Sequence, residues 1–168
     1  MGVGTADVTG NGFPDIYLSN TGTSVPAFMM KGDLTGDQKL DTSFRLLEND
    51  GKFKFTDVTE KYSLANAGFG WGTLFADFTN NGVEELVVTE NFIGMPMMMH
   101  HMFPSKGSFY VRGQDGKYFN TVVQSGLTNK NFGYRAVALD LDGNGFKDLV
   151  IANIDGPLRI FMNDGATR

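Results

Sequence analysis

The chain contains no cysteine, which excludes a disulfide framework, thiol catalysis and thiolate ligation of a metal. It has only two histidines, the adjacent His100 and His101, and no Ser/His/Asp order for nucleophilic catalysis is evident. No apolar run approaches the roughly 20 residues that a membrane-spanning helix requires. The 14 basic residues form no stripe and the net charge is −5, which argues against a nucleic-acid partner. We therefore predict a non-enzymatic chain without a membrane span.

Glycine and phenylalanine are abundant instead, with 22 and 15 residues in a chain of 168. Glycine supplies the positive φ angles that tight turns need, and aromatic side chains favour the pleated surface of a strand. With 41% hydrophobic and 20% charged residues, the composition is that of a folded globular protein. Many turns and many short strands predict an all-β fold.

One nine-residue segment, 140–148 (DLDGNGFKD), has oxygen-bearing side chains at its positions 1, 3, 5 and 9 and a glycine at position 6. Calcium takes six to eight oxygen ligands at about 2.3 to 2.6 Å, so a short loop must direct alternate side chains and a backbone carbonyl inward. The glycine permits the sharp turn that this requires. The predicted ligands are the side chains of Asp140, Asp142, Asn144 and Asp148, and the carbonyl of Phe146.

The same segment recurs in reduced form at 7–15 and 77–85. Threonine replaces the aspartate at position 3 in both, and glutamate stands at position 9 of the second. Fewer carboxylates offer less charge to offset dehydration of the ion, so we predict weaker calcium binding there. The candidate ligands are Asp7, Thr9, Asn11, Phe13 and Asp15 in the first loop, and Asp77, Thr79, Asn81, Val83 and Glu85 in the second.

The flanks of the three loops align as well. Each loop lies between two β-rich segments, and the first two copies continue into a hairpin marked by Asp-Gly at 50–51 and 115–116. We predict strands over 44–48, 53–58, 109–112 and 118–123 for these hairpins. The third copy begins its hairpin at 158–162 and ends before the last strand. Four short antiparallel strands per unit, repeated along the chain, predict the blades of a β-propeller.

The predicted fold is thus an all-β partial or open propeller of about three four-stranded blades. Blade 1 covers 1–65 with an insert at 21–43, blade 2 covers 66–128 with an insert at 92–108, and blade 3 covers 129–168 without its outer strand. Three blades cannot close a ring and would leave strand edges and apolar faces bare. Further blades, from the same longer chain or from other copies, are therefore expected as partners, and residues 1–4 match the interior of a first strand, as if earlier blades lay upstream.

The sequence resembles the FG-GAP or VCBS repeat family of β-propellers, which includes integrin α-chain heads, and within it the branch similar to cartilage acidic protein and its bacterial relatives. The resemblance rests on the aspartate-rich loops, on FGWG at 69–72 and FGYR at 132–135, and on the patterns at 44–51 and 55–59. It covers nearly the whole chain except the inserts. It implies the propeller fold and calcium at the loop positions given above, but not a function, because propellers host many.

The three loops have an alternative interpretation, and a fourth segment resembles them. An Asx-turn loop can hold the same shape through hydrogen bonds between side chain and backbone without any ion. A further segment, 33–41 (DLTGDQKLD), also has oxygens at positions 1, 3, 5 and 9, but Gln38 replaces the glycine. A solvated polar loop is the preferred interpretation there.

The second insert contains five methionines and both histidines within 95–102, and the first insert adds Met29 and Met30. In an antiparallel blade both inserts belong to the face opposite the calcium loops. Three interpretations are open: internal packing, an adaptable protein interface, or soft-ligand copper(I) binding. Trp71 and Tyr134 could form a carbohydrate-stacking platform, but their repeated positions favour packing between blades.

Together these features predict a calcium-stabilised extracellular or cell-surface scaffold for protein or glycan binding and adhesion, with any such ligand on the insert face. The alternatives are a propeller piece of a secreted polysaccharide-active enzyme and a structural subunit of an extracellular filament or other assembly.

Overall fold

A computed structural model of the chain describes residues 1–22, 34–66, 68–90 and 106–165. In these ranges all regular secondary structure is β-strand, which confirms the all-β prediction. No helix in the described residues has the length and apolarity needed to cross a membrane. The eleven strands form three antiparallel sheets.

The three sheets follow one another along the chain, and each pairs its strands in sequence order. Sheet 1 contains β1 (Val3–Ala6), β2 (Asp15–Leu18), β3 (Arg45–Asn49) and β4 (Phe55–Asp57). Sheet 2 contains β5 (Gly70–Ala76), β6 (Glu85–Glu90), β7 (Ser108–Arg112) and β8 (Tyr118–Asn120). Sheet 3 contains β9 (Gly133–Leu139), β10 (Asp148–Asn153) and β11 (Arg159–Phe161).

The nine-residue loops join the first and second strands of each sheet. The pairs that close them occupy equivalent positions, with Ala6 opposite Asp15, Ala76 opposite Glu85 and Leu139 opposite Asp148. The loops therefore extend from the same end of each sheet.

Three hairpin strands are shorter than the sequence suggests, and the one predicted at 158–162 loses one residue at each end. The strand predicted from Phe53 begins at Phe55, because Phe53 lies in the turn with φ of 61°, which is incompatible with a strand. The strand predicted to end at Val123 ends at Asn120, whose side chain accepts the backbone N–H of Val122 and starts a turn.

The sheets pack face to face in series. We call face A of a sheet the side that carries the residue three positions before its nine-residue loop, which is Gly4, Leu74 or Val137, and face B the opposite side. In sheets 1 and 2, face A is turned toward the following sheet. Face A of sheet 1 (Gly4, Ala6, Tyr17 and Leu46) packs on face B of sheet 2 (Thr73, Phe75, Leu86, Val88 and Tyr110). Face A of sheet 2 (Gly72, Leu74, Ala76, Val87 and Phe109) packs on face B of sheet 3 (Ala136, Ala138, Leu149, Ile151 and Phe161).

Glycine lets the first strands of successive sheets approach closely. A Cβ atom on Gly2 would lie 2.8 Å from the carbonyl oxygen of Trp71, and one on Gly72 would lie 2.8 Å from that of Tyr134. Both distances are too short for a real side chain. Sheet 2 therefore packs on sheet 1 through its first strand in the same way as sheet 3 packs on sheet 2.

The methionine and histidine residues of the inserts, at 29–30 and 95–102, lie outside the described residues.

Candidate cation site

The loop between β9 and β10 brings three carboxylates together. One oxygen each from Asp140, Asp142 and Asp148 can be chosen so that all lie within 4.8 Å of one another. Asp140 and Asp142 are exposed, whereas Asp148 at the start of β10 is fully buried. A convergence of hard oxygen atoms of this kind suits a divalent cation such as calcium.

Asp140 at position 1 accepts hydrogen bonds from the backbone across the loop. Its Oδ1 accepts from Gly143 N at 2.8 Å and from Asn144 N at 3.1 Å, and its Oδ2 accepts from Gly145 N at 2.9 Å. These bonds favour the charged form, so the pKa of Asp140 lies below its ordinary value. These hydrogen bonds to Asp140 close the loop without requiring an ion.

Asp148 at position 9 also accepts two backbone hydrogen bonds. Its Oδ2 accepts from Leu141 N at 2.8 Å, and its Oδ1 accepts from Asn163 N, just after β11, at 2.7 Å. Asn163 was not among the predicted site residues. A buried carboxylate with two charge-assisted bonds is held in one orientation.

Asn144 at position 5 connects the loop to the hairpin. Its Oδ1 accepts from Phe146 N at 2.8 Å and its Nδ2 donates to the carbonyl of Asn163 at 2.8 Å. Asp142 makes weaker contacts, to Asn144 N at 3.2 Å and Asn144 Nδ2 at 3.3 Å. Asp142 is therefore the carboxylate of this loop that contributes least to its internal hydrogen bonding.

The first loop repeats the backbone path with one carboxylate fewer. Asp7 accepts from Asn11 N and Gly12 N, and Asp15 accepts from Thr9 N and Asn49 N. At position 3, Thr9 Oγ1 is buried and has no hydrogen-bond partner among the described residues. An unsatisfied buried oxygen at a ligand position is compatible with an additional partner there, such as a cation or a water molecule.

The second loop satisfies its own oxygens. Asp77 again accepts from Asn81 N and Gly82 N. Glu85 at position 9 is buried, and its Oε2 accepts from Phe78 N at 2.8 Å while its Oε1 accepts from the hydroxyl of Thr79 at 3.2 Å. Desolvation by burial raises the pKa of Glu85, with the Asp77 charge adding to the effect. Here the position 3 and position 9 side chains bond each other.

The backbone N–H of each position 7 residue donates to the asparagine at position 5, for Phe13, Val83 and Phe146 alike. Carbonyl ligation by these three residues stays a prediction. Their side chains differ in what they touch. Phe13 and Phe146 lie against Gly51 and Gly165 of the facing Asn-Asp-Gly turns, so closely that a Cβ atom on either glycine would overlap the ring.

A residue at or just after the end of the third strand links two of the repeats to the preceding one. Asn49, Arg112 and Asn163 occupy equivalent register positions in the three sheets. Arg112 Nη1 donates to the carbonyl of Val8 at 2.9 Å, and Asn163 Nδ2 donates to that of Phe78 at 2.7 Å. Both acceptors are position 2 of the preceding repeat's loop. The recurrence of Asn-Asp-Gly at 49–51 and 163–165 was the sequence signal for this role, but it was interpreted only as a turn.

The other candidates from the sequence contribute less. Asp33 lies outside the described residues, and the carboxylate of Asp41, the last oxygen of segment 33–41, accepts from Ser43 N and pairs with Arg45 at 3.0 Å. The rings of Trp71 and Tyr134 contact each other across sheets 2 and 3, with centroids 5.9 Å apart. This contact has the geometry expected of packing between repeats.

Comparison with known proteins adds no assignment, since no family model and no curated protein matches the chain.

Proposed function

We propose that the chain is part of a calcium-stabilised β-propeller of the FG-GAP or VCBS type that serves as an extracellular or cell-surface scaffold for protein or glycan binding. The observation that carries the proposal is the convergence of Asp140, Asp142 and Asp148 within 4.8 Å on a loop whose path recurs in all three sheets. In this proposal calcium joins the loop to the start of β10 and thereby ties two strands together.

Propeller architecture is supported by the serial packing of antiparallel sheets through their first strands. Propeller blades are four-stranded sheets arranged around a central channel. The contacts at Gly2 and Gly72 show that the first strands of neighbouring sheets pack in the same way at both junctions. Gly72 of FGWG at 69–72 and Tyr134 of FGYR at 132–135 lie at these contacts.

The donor set fits a hard cation best in the third loop and least in the second. Three carboxylates are available in the third loop, and two carboxylates with an unpartnered threonine oxygen in the first. In the second loop the threonine hydroxyl is already bonded to the glutamate. We propose an extracellular location with it, because extracellular calcium-binding modules typically have dissociation constants of about 10⁻⁴ to 10⁻³ M and work where calcium is plentiful.

The test is calorimetric titration of calcium into the chain and into an Asp142→Asn variant. Asp142 is the informative position because its removal leaves the backbone hydrogen bonds of Asp140 and Asp148 intact. We expect the variant to lose the tightest calcium site, with affinity reduced about tenfold or more because one of three charges is gone.

Asp115→Asn is the matched control. Asp115 is an exposed aspartate that accepts from Lys117 N in a hairpin turn outside the loops. Calcium binding by this variant should equal that of the parent chain. Absence of calcium heat from the parent chain, or equal affinity in the parent and Asp142→Asn, would contradict the proposal and favour a loop held by Asx turns alone.

A structural subunit of an extracellular assembly is the second candidate function. It is favoured by apolar side chains exposed on the outer faces of the first and last sheets, among them Val3, Val137 and Ile160.

A further inference from the structure

Two sheet faces have no partner among the described residues, and one of them is a face A and the other a face B. Sheet 1 presents its face B, with Val3 65% exposed and Ile16, Leu18 and Leu47 partly exposed. Sheet 3 presents its face A, with Val137 48% and Ile160 54% exposed. Inside the chain, face A packs on face B at both junctions, so the two exposed faces are the two halves of a junction of the same kind.

We propose that face A of sheet 3 in one copy of the chain packs against face B of sheet 1 in a second copy, which continues the internal repeat between molecules. This deepens the assembly role and rests on the repeat architecture of the proposed function. The contact is heterologous, since the two patches are different surfaces. Each dimer therefore retains one free face of each type and can add further copies until a ring closes.

The hydrogen bonds that link neighbouring repeats can also form at this junction, because an equivalent donor and an equivalent carbonyl are present. Asn163 Nδ2 donates both to Lys147 in its own repeat and to Phe78 in the preceding one. Asn49 makes the first kind of bond, to the carbonyl of Pro14 at 3.1 Å. The carbonyl equivalent to that of Phe78 is Leu141 O at the other end of the chain. In the proposed contact Asn49 of the second copy donates to Leu141 O of the first.

One residue makes the intermolecular junction differ from the internal ones. Arg135 in sheet 3 occupies the position that Gly2 has in sheet 1 and Gly72 has in sheet 2. At both glycines the strands approach too closely for a Cβ atom. A Cβ atom and a charged side chain keep the incoming first strand farther away at this point. The association between copies is therefore weaker than the packing between sheets within the chain, and Arg135 sets its strength.

Sedimentation velocity over a range of protein concentrations tests the contact. We expect the parent chain to associate reversibly. Ile160→Asp and Val3→Asp should each raise the dissociation constant by about tenfold or more, because a charge would be buried against apolar surface. Arg135→Gly should lower the dissociation constant several-fold. Val123→Asp is the control, because Val123 is a 60% exposed valine that belongs to neither face.

A mixing experiment separates a heterologous contact from a symmetric one. Ile160→Asp retains face B of sheet 1 and Val3→Asp retains face A of sheet 3, so an equimolar mixture should form a 1:1 dimer that does not grow further. A chain that stays monomeric with and without Arg135→Gly, unchanged association in both aspartate variants, or a mixture that stays monomeric would each overturn the proposal.

Calcium titration of the Ile160→Asp monomer keeps the two proposals distinct. Calcium binding without association by the parent chain would refute only the intermolecular contact. Association without calcium binding would refute only the cation site.

Discussion

The third and second loops follow the same backbone path with different chemistry at two positions. Both place an aspartate at position 1 that accepts backbone N–H groups from positions 5 and 6. At positions 3 and 9 the third loop has Asp142 and Asp148, whereas the second has Thr79 and Glu85. The longer glutamate reaches the threonine hydroxyl and the pair closes on itself. In the third loop both positions hold carboxylates, which converge with Asp140 within 4.8 Å.

We propose from this difference that loop shape and cation binding are separable properties. The hydrogen bonds of the position 1 aspartate maintain the shape in every repeat. In the proposed calcium site, the acidic residues at positions 3 and 9 decide whether the interior is negative enough to offset the dehydration of an ion. A change that affects one property and spares the other is therefore the most informative kind of variant.

The largest expected difference between the loops is at position 9. Asp148→Asn places an amide N–H₂ against one of two backbone N–H donors in a buried site, which should cost about 2 to 3 kcal/mol of the free energy of unfolding. Glu85→Gln should change it by less than about 1 kcal/mol, since a rotated Thr79 hydroxyl can accept from the new amide. Urea denaturation without calcium measures both. Equal losses in the two variants would contradict the distinction.

A second comparison concerns two glycines that lie in Asp-Gly turns. Gly165 and Gly116 both have positive φ, at 70° and 78°, so alanine is strained at either position. A Cβ atom on Gly165 would also overlap the Phe146 ring, whereas the nearest atom to one on Gly116 is Arg112 Nη2 at 3.7 Å. Gly165→Ala should therefore be less stable than Gly116→Ala by about 1 to 3 kcal/mol. Similar melting temperatures for the two variants would show that the ring does not support the third loop.

The pH dependence of stability should have opposite sign at the two loops. The pKa of Asp140 is lowered, so its contribution is present above the pKa of an unfolded aspartate and is lost as pH falls through the folded value. The pKa of Glu85 is raised, so its contribution is present at acidic pH and is lost as pH rises through the folded value.

Two amide variants test these signs by urea unfolding across the acidic and neutral range. Relative to the parent chain, Asp140→Asn should be destabilised at neutral pH and Glu85→Gln slightly stabilised. Both differences should shrink in acid. Curves that stay parallel to that of the parent chain would refute the assigned pKa directions.

The smallest expected effect is at the contact between the two loops. Asn80 Nδ2 donates to Gly145 O at 2.8 Å across an exposed surface, and Asn80 has φ of 55°. Asn80→Gly keeps that backbone conformation and removes the bond, so stability should fall by less than about 1.5 kcal/mol. Calcium affinity should stay unchanged. A clear loss of affinity in calorimetry would mean that the second loop helps to form the site in the third.

Most of the strand order was predictable because it depends on local signals. Alternating apolar residues, Asp-Gly turns and the repeated loops identified all eleven strands, with errors of a few residues where a turn intervened at Phe53 and after Asn120. The three carboxylates of the third loop were also identified, since their spacing within one loop determines their convergence.

The links between repeats could not be predicted in the same way. Arg112 donates to Val8 and Asn163 to Phe78, which are 104 and 85 residues away in the sequence. Such bonds depend on how whole sheets are placed relative to each other, and an asparagine in a turn has a sufficient local explanation. Similarly, nothing local indicates that the Thr9 hydroxyl is buried without a partner while that of Thr79 is bonded.

The most direct test of the central claim is a calcium titration of the ¹⁵N-labelled chain followed by amide chemical shifts. We expect the amides of Gly143 and Gly145 to shift at lower calcium concentration than that of Gly82, because the third loop supplies three converging carboxylates and the second does not. Simultaneous shifts in both loops, or no shift in the third, would contradict the claim.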